Sequence, residues 1–255
     1  MIGLFDSGLG GLSVVRALRA VLPQHDLLYV ADTAYCPYGP LPQAEIQARA
    51  NLATRWLIEQ GAQLVVVACN TATAAAADRL RVQFRLPLVA MEPGVKPAVA
   101  ATRSGRVAVL ATQSTLRAER FAGLVQRFAN GIHVQTVPCP HFVQLVEAGE
   151  LHGSYAAAVV HEQIAPLVAA GVDTLVLGCT HFPPLRPLIA AAAPAATIID
   201  TGPAVAAQTA RLALAHAIAA GQGQLRCVTS GDPTAVAPAL ARVWGAAQAV
   251  EGIQL

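Results

Sequence analysis

Leu64-Val65-Val66-Val67-Ala68-Cys69-Asn70-Thr71 and Thr174-Leu175-Val176-Leu177-Gly178-Cys179-Thr180-His181 are two versions of one pattern, and their reading decides the fold. Each opens on a short aliphatic run rich in β-branched residues, the composition of a strand buried on both faces. Each run ends in a cysteine, short polar residues and a stretch able to start a helix. A parallel α/β sheet puts such a cysteine at its carboxyl edge, where clefts open. Two of them predict two thiols facing one small molecule from opposite sides.

Working outward, strand-like runs alternate with helical ones along the chain. Strands are expected at 2–5, 27–31, 64–68, 88–90, 107–110, 133–137, 175–177, 197–199 and 225–229. Amphipathic or alanine-rich helices are expected at 11–21, 43–60, 116–128, 155–170 and 204–219. Alternation of this kind predicts parallel sheets covered by helices. The series also runs twice. The interval from Asp6 to Cys69 nearly equals that from Thr112 to Cys179. The expected fold is therefore α/β, with two similar lobes, each a mostly parallel sheet flanked by helices, and the site in the cleft between them. Glu92-Pro93-Gly94-Val95-Lys96-Pro97 breaks the pattern once and Asp200-Thr201-Gly202-Pro203 again. One lobe is expected to hold residues 1–93 and 206–255, the other 94–205.

Composition excludes several classes. The 255 residues are 55% hydrophobic and 13% charged, so the chain is globular and not disordered. A net charge of +2 with scattered Lys and Arg argues against a nucleic-acid surface. No apolar run reaches the roughly 18 residues that a spanning helix needs, so no membrane partner is expected. Met1-Ile2-Gly3-Leu4-Phe5-Asp6 reads as a first strand, not as a signal peptide. Five cysteines without a CxxC pair argue against a disulfide framework and favour a reducing cytoplasm.

The candidate chemistry lies at the strand ends. Asp6-Ser7-Gly8-Leu9-Gly10-Gly11 is an acid and a hydroxyl before a glycine turn. It reads either as a cradle for a carboxylate or phosphate or as a capped tight turn. It is not GxGxxG, because Ser13 stands in the third glycine position. Cys69 and Cys179 read individually as inert buried thiols. At a helix amino end, a thiol would be lowered from about 8.5 toward thiolate. Asn70, Thr71 and Thr180 are short donors suited to a carboxylate. His181 either supports Cys179 or caps a helix. Tyr38 and Gly39 follow the second strand and offer a hydroxyl and an amide, or belong to a surface loop with Asp32. Glu147 is an acid in an apolar stretch, of the kind that usually faces solvent. Cys139 and His141 have ligand spacing but no second pair, so no metal is expected. Cys36 and Cys227 read as structural.

Together these motifs resemble glutamate racemase, of the aspartate/glutamate racemase family. The resemblance rests on Asp6-Ser7-Gly8-Leu9-Gly10-Gly11-Leu12, Tyr38-Gly39, Cys69-Asn70-Thr71-Ala72, Glu92-Pro93-Gly94 and Gly178-Cys179-Thr180-His181-Phe182-Pro183. It covers nearly the whole chain. It implies a cofactor-free enzyme that interconverts L- and D-glutamate, the D form being built into bacterial peptidoglycan. It implies that Cys69 and Cys179 are the two proton carriers. Asp6 and His181 would assist them respectively, with Glu147 a further acid on the second side. Ser7, Tyr38, Gly39, Asn70, Thr71 and Thr180 match substrate-binding positions, and Thr112 and Thr115 match further hydroxyl contacts. A homodimer is also implied. The amino-terminal extension that accompanies regulation in some relatives is not expected, since the first strand starts one residue into this chain.

Inverting a carbon centre without a cofactor explains the need for two thiols. One base tends to restore the original hand, whereas two across a planar intermediate do not. The carbon acid lies at least ~10 pKa units above a thiol, or roughly 14 kcal/mol uphill. A turnover of about 10 per second allows a barrier of only ~16 kcal/mol. The cleft must therefore stabilise the anion with fixed donors and exclude water. The sequence alone also admits an aspartate or hydantoin racemase, a non-catalytic two-lobed amino-acid binder, or a single-thiol hydrolase.

Overall fold

The computed structural model describes every residue, Met1–Leu255. The first half of the chain runs β1 (Ile2–Asp6), α1 (Leu12–Val21), β2 (Leu27–Ala31), α2 (Gln43–Glu59), β3 (Leu64–Val67), α3 (Asn70–Gln83) and β4 (Leu88–Ala90). A second series follows: α4 (Val95–Ala101), β5 (Arg106–Ala111), α5 (Gln113–Arg117), α6 (Glu119–Phe128), β6 (His133–Pro138), α7 (Pro140–Glu147), α8 (Gly153–Ala169), β7 (Thr174–Leu177), α9 (Arg186–Ala192) and β8 (Thr197–Asp200). The chain ends with α10 (Gly202–Ala215), β9 (Leu225–Thr229), α11 (Pro233–Trp244) and β10 (Val250–Gly252).

Two sheets result, in the orders β10-β9-β2-β1-β3-β4 and β6-β5-β7-β8, and every pairing is parallel. The repeat expected from the strand spacing is visible in the topology, since β2-β1-β3-β4 and β6-β5-β7-β8 are the same arrangement. In each sheet the chain leaves the first strand in one direction and returns on its other side. That reversal opens a crevice at the carboxyl ends of the two strands flanking it. In the first sheet these are β1, ending at Asp6, and β3, followed by Cys69. In the second they are β5, followed by Thr112, and β7, followed by Gly178 and Cys179.

Side-chain alternation sorts the strands' residues between two faces. Phe5, Leu28, Val30, Val65 and Val67 point toward α2 and α3, where they pack with Ile46, Ala50, Leu57 and Leu80. Ile2, Leu4, Tyr29, Leu64 and Val66 point the other way, toward Leu12, Val15 and Leu18 of α1. That inner core continues without a break into Leu110, Leu175 and Leu177 of the second sheet, making one cluster of 44 buried residues. Phe142 of α7 and Phe182 meet edge to face within it, their centroids 5.2 Å apart. The lobes therefore share a core on the side where their crevices meet. A smaller cluster of Val95, Ala98, Val107, Val109, Phe121 and Val176 covers the outer face of the second sheet.

Three local expectations differ from the structure. The helix expected over 116–128 is two helices, because Ala118 takes an extended conformation (φ −69°, ψ 139°) between α5 and α6. Thr112 caps α5 by accepting from the Thr115 amide. The last strand, β10, lies outside the expected set, being only 3 residues long with two of them exposed. Cys179 does not sit at a helix start: Pro183 and Pro184 begin a single 3-10 turn, and α9 follows only at Arg186.

The segment after β2 is anchored by a buried ion pair. Asp32 is fully buried, and both its oxygens accept from Arg49 of α2, at 2.7 and 2.8 Å. Tyr38 and Ser230 donate to the same carboxylate at 2.5 and 2.6 Å. Removing one partner of such a pair strands a charge in the interior, which costs about 3–5 kcal/mol. Arg49→Ala is expected to lower the unfolding free energy by that amount in urea titrations. An unchanged midpoint would show that the pair does not hold this segment.

Candidate active site

The site is built around the turn between β1 and α1. Asp6 is fully buried at the strand's end. Its carboxylate accepts from the Ser7 amide at 2.8 Å and the Gly11 amide at 2.5 Å, closing the turn on itself. Thr180, from the other lobe, donates to Asp6 Oδ2 at 3.2 Å. Both readings of the motif are thus partly realised: Asp6 holds the turn, and it also lies between the two cysteine loops.

The glycines have a packing reason. A Cβ at Gly10 would collide with the His181 ring and backbone, and one at Gly8 with Glu147 and Cys36. No side chain fits where these groups press against the turn. The motif is therefore a seat for His181 and Glu147.

On one side of the turn stands Cys69, only 4% exposed. It caps α3, its Sγ accepting from the Ala72 amide at 3.5 Å, and lies 3.9 Å from Ser7 Oγ. The helix terminus favours thiolate, but burial dominates. Burial and the neighbouring Asp6 carboxylate push the Cys69 thiol well above its ordinary value. The lowering expected for a thiol at a helix start is therefore not realised in this closed arrangement. Burial also raises the Asp6 carboxyl, against the opposing charge of His181.

Across the turn stands Cys179, 6% exposed. Its Sγ is 3.6 Å from His181 Nδ1, and His181 Nε2 is 2.6 Å from Glu147 Oε1. Glu147 Oε1 also accepts from the Leu9 amide at 2.6 Å. The acid therefore faces inward, clamped between the turn and the imidazole. Burial by itself would lower the His181 pKa, but its contacts with Cys179, Cys36 and Glu147 outweigh that and raise it well above the ordinary value. His181 caps no helix.

Hydroxyls from both lobes close the cleft. Thr71 Oγ1 lies 2.8 Å from Thr112 Oγ1 and 3.3 Å from Thr115 Oγ1. Asn70 is buried beside them, and neither its amide oxygen nor its nitrogen has a protein partner. An unpaired buried amide costs about 1–3 kcal/mol, a cost that a carboxylate or ammonium ligand would relieve. A Cβ placed on Gly39 would meet the Thr112 side chain at ordinary contact distance. The Tyr38 hydroxyl, expected in the cleft, is instead bound to Asp32. Its ring is 1% exposed, so it positions the Gly39 backbone and does not offer a free hydroxyl. Outside this cluster, a cavity of about 870 Å³ opens between the lobes, lined by Gly39, Gln43, Asp78, Gln113, Arg117 and Arg120. Its lining includes neither Thr71, Thr112 and Thr115 nor the two sulfurs.

Cys139 and His141 do not converge: Cys139 faces the Val137 carbonyl and His141 faces Gln144. Three contributions were not legible in the sequence: Arg49, the Leu9 amide, and Cys36 beside His181. Leu9 lies in the glycine motif, but its amide, like the other two, becomes relevant only through a contact with a residue outside its own segment.

The sequence profile of the Asp/Glu/Hydantoin racemase family matches residues 12–209. The chain is 50% identical over 253 residues to a glutamate racemase of Pseudomonas aeruginosa, covering 98% of this chain and 96% of that protein. The fold is similar to that of Escherichia coli glutamate racemase in complex with L-glutamate and the activator UDP-MurNAc-ala (TM-score 0.87, 30% identity, 99% of this chain and 98% of that one). It is likewise similar to the Francisella tularensis glutamate racemase in complex with D-glutamate (TM-score 0.84, 27% identity, 99% and 97%).

The seat made by the glycine turn predicts how it responds to a single methyl group. In Gly10→Ala, His181 must move, and its ring resonances in histidine-labelled protein are expected to shift with loss of the proton shared with Glu147. Gly123→Ala, where a Cβ meets nothing within 4 Å, leaves them in place. An unmoved His181 signal in Gly10→Ala would contradict the seat.

Proposed function

This chain belongs to the Asp/Glu/Hydantoin racemase family, and from that membership we propose that it interconverts L- and D-glutamate by passing protons between Cys69 and Cys179 across the substrate's α-carbon. The observation that carries this reading is the meeting of two strand-end thiols, each with its own acidic companion, on one glycine turn. Relatives that hold L-glutamate in one case and D-glutamate in the other support glutamate as the substrate.

In this scheme Cys179, beside His181 and Glu147, is the sulfur that accepts the first proton, and Cys69, whose thiol burial beside Asp6 pushes up, is the one that donates. The enantiomer whose Cα–H faces Cys179 loses its proton to that sulfur, and the planar carbanion takes one from Cys69 on the opposite face. The protonation states are then reversed, ready for the other enantiomer. Asn70, Thr71, Thr112, Thr115 and Thr180, with the Ser7 hydroxyl and the Gly39 backbone, hold the substrate's carboxylates and ammonium group. Such fixed donors lower the cost of the developing anion, because they need no reorganisation in a dry site. No cofactor takes part in this scheme.

The lobes are assigned as residues 1–93 with 206–255, and 94–205, a division favoured by the return of β9 and β10 to the first sheet. No helix is long and apolar enough to cross a membrane, and all five cysteines are free. Likeness to glutamate racemases supports the reading of a cytoplasmic homodimer that supplies D-glutamate for peptidoglycan.

Incubation with either enantiomer in deuterated water, followed by chiral analysis and NMR, tests the scheme. Cys69→Ser and Cys179→Ser are each expected to lower racemisation by about a thousandfold, within the range typical of lost acid–base groups. Each keeps its fold and exchanges the α-proton of one enantiomer only. Full racemisation by either variant would end the two-thiol reading, and equal turnover of aspartate would end the assignment to glutamate.

A further inference from the structure

We propose that Cys36, Glu147 and His181 form a binding site for a borderline divalent cation of the zinc class, and that its occupation stops racemisation. The part concerning inhibition rests on the role given to His181 above; the binding itself does not.

A sulfur, a carboxylate oxygen and an imidazole nitrogen lie within 4.8 Å of one another. They come from the loop after β2, the end of α7 and the loop after β7, so the fold, and not a local motif, assembles them. Thiolate, imidazole and carboxylate together are a donor set suited to zinc, with bond lengths of about 2.0–2.3 Å. Tetrahedral donors at such lengths stand roughly 3.3–3.7 Å apart. The His181 Nε2 to Glu147 Oε1 distance of 2.6 Å must open slightly and the sulfur must close in. Both adjustments are within side-chain reach. Gly8 allows Cys36 and Glu147 to approach this closely, since a Cβ there would collide with both.

Cys36 carries no proton in the relay, although its contact with His181 helps raise the imidazole's pKa. It is partly exposed, as is Glu147, with 23% of its side chain accessible, whereas His181 is 2% exposed. A cation from solvent therefore meets the thiol and the carboxylate first and the imidazole last. Burial pushes the Cys36 thiol up to about 12, so it is protonated until a cation competes. On binding, the Cys36 S–H bond breaks, the sulfur lone pair goes to the cation and the proton to solvent. The Nε2 proton of His181 leaves in the same way. Zinc then occupies the nitrogen that faced Glu147, and Cys179 loses its cationic partner. Three protein ligands leave the fourth position to water.

Chelator-treated protein titrated with Co²⁺ is expected to develop a thiolate-to-cobalt charge-transfer band with one equivalent. The band is expected to be absent in Cys36→Ser and Cys36→Ala and retained in Cys69→Ser and Cys179→Ser. Zn²⁺ is expected to inhibit racemisation of the unaltered enzyme reversibly. At least tenfold more is expected to be needed in Cys36→Ser, measured against that variant's own activity without metal. A band that survives loss of Cys36, or that disappears with Cys69 or Cys179, would place the cation on the reacting thiols and overturn the site. A Cys36-dependent band without inhibition would overturn the regulatory part while leaving the site. Circular dichroism of both Cys36 variants separates loss of ligation from loss of fold.

Discussion

The structure depends on one wedge: the glycine turn after β1 is driven between the two cysteine loops and held there by the Asp6 carboxylate. That carboxylate ties the turn to itself through the Ser7 and Gly11 amides and to the second lobe through Thr180. Leu9 extends the tie by donating to Glu147, which grips His181. Each thiol thus acquires a different environment from the same six residues. Cys69 sees an anion and a hydroxyl, and Cys179 sees an imidazole paired with an acid. The sheets are pseudo-repeats with the same strand order, but the turn is not repeated, since Ala111 stands where Asp6 does. The different surroundings of the two sulfurs follow from that difference.

Dryness is the second constraint. A carbanion is within reach of a thiol only where water does not screen the donors that stabilise it. The shared core beneath the cleft meets this need, because the inner faces of both sheets pack against each other through Leu110, Leu177, Phe142 and Phe182. Above the cleft, Thr71 meets Thr112 and Thr115 across the lobes, and Arg120 joins Glu92 to Asp78. These lid contacts are polar, and Asp78 is largely exposed. Exposed ion pairs contribute little stability, roughly 0–1 kcal/mol, so they can open to admit a substrate while the apolar base stays shut.

Much of the fold was legible because burial leaves a periodic trace. The aliphatic runs at 64–67 and 174–177 are central strands, and the alternation of strands and helices is that of the structure. Where periodicity is weak, the reading was weak too. Strand β10 carries too few apolar residues to register, and a single extended residue, Ala118, divides a helix whose hydrophobic pattern continues across it. The site was legible as a set of residue types at strand ends, and not as a set of interactions. Tyr38 reads as a hydroxyl for the cleft until Asp32 and Arg49 are seen to claim it. Glu147 reads as a solvent-facing acid until the Leu9 amide and His181 turn it inward.

By itself the sequence determined the strand-end positions of both thiols, the class of fold and the residues rich in chemistry, because each follows from patterns within a few neighbours of one another. Tertiary structure alone decided that Glu147 faces inward onto His181, that Asp6 meets Thr180 of the second lobe, and why the turn must be glycine. Those outcomes depend on burial and on contacts between residues more than a hundred positions apart, such as Leu9 with Glu147 and Asp6 with Thr180. Local pattern does not encode such distances; they arise when two sheets close on a common core.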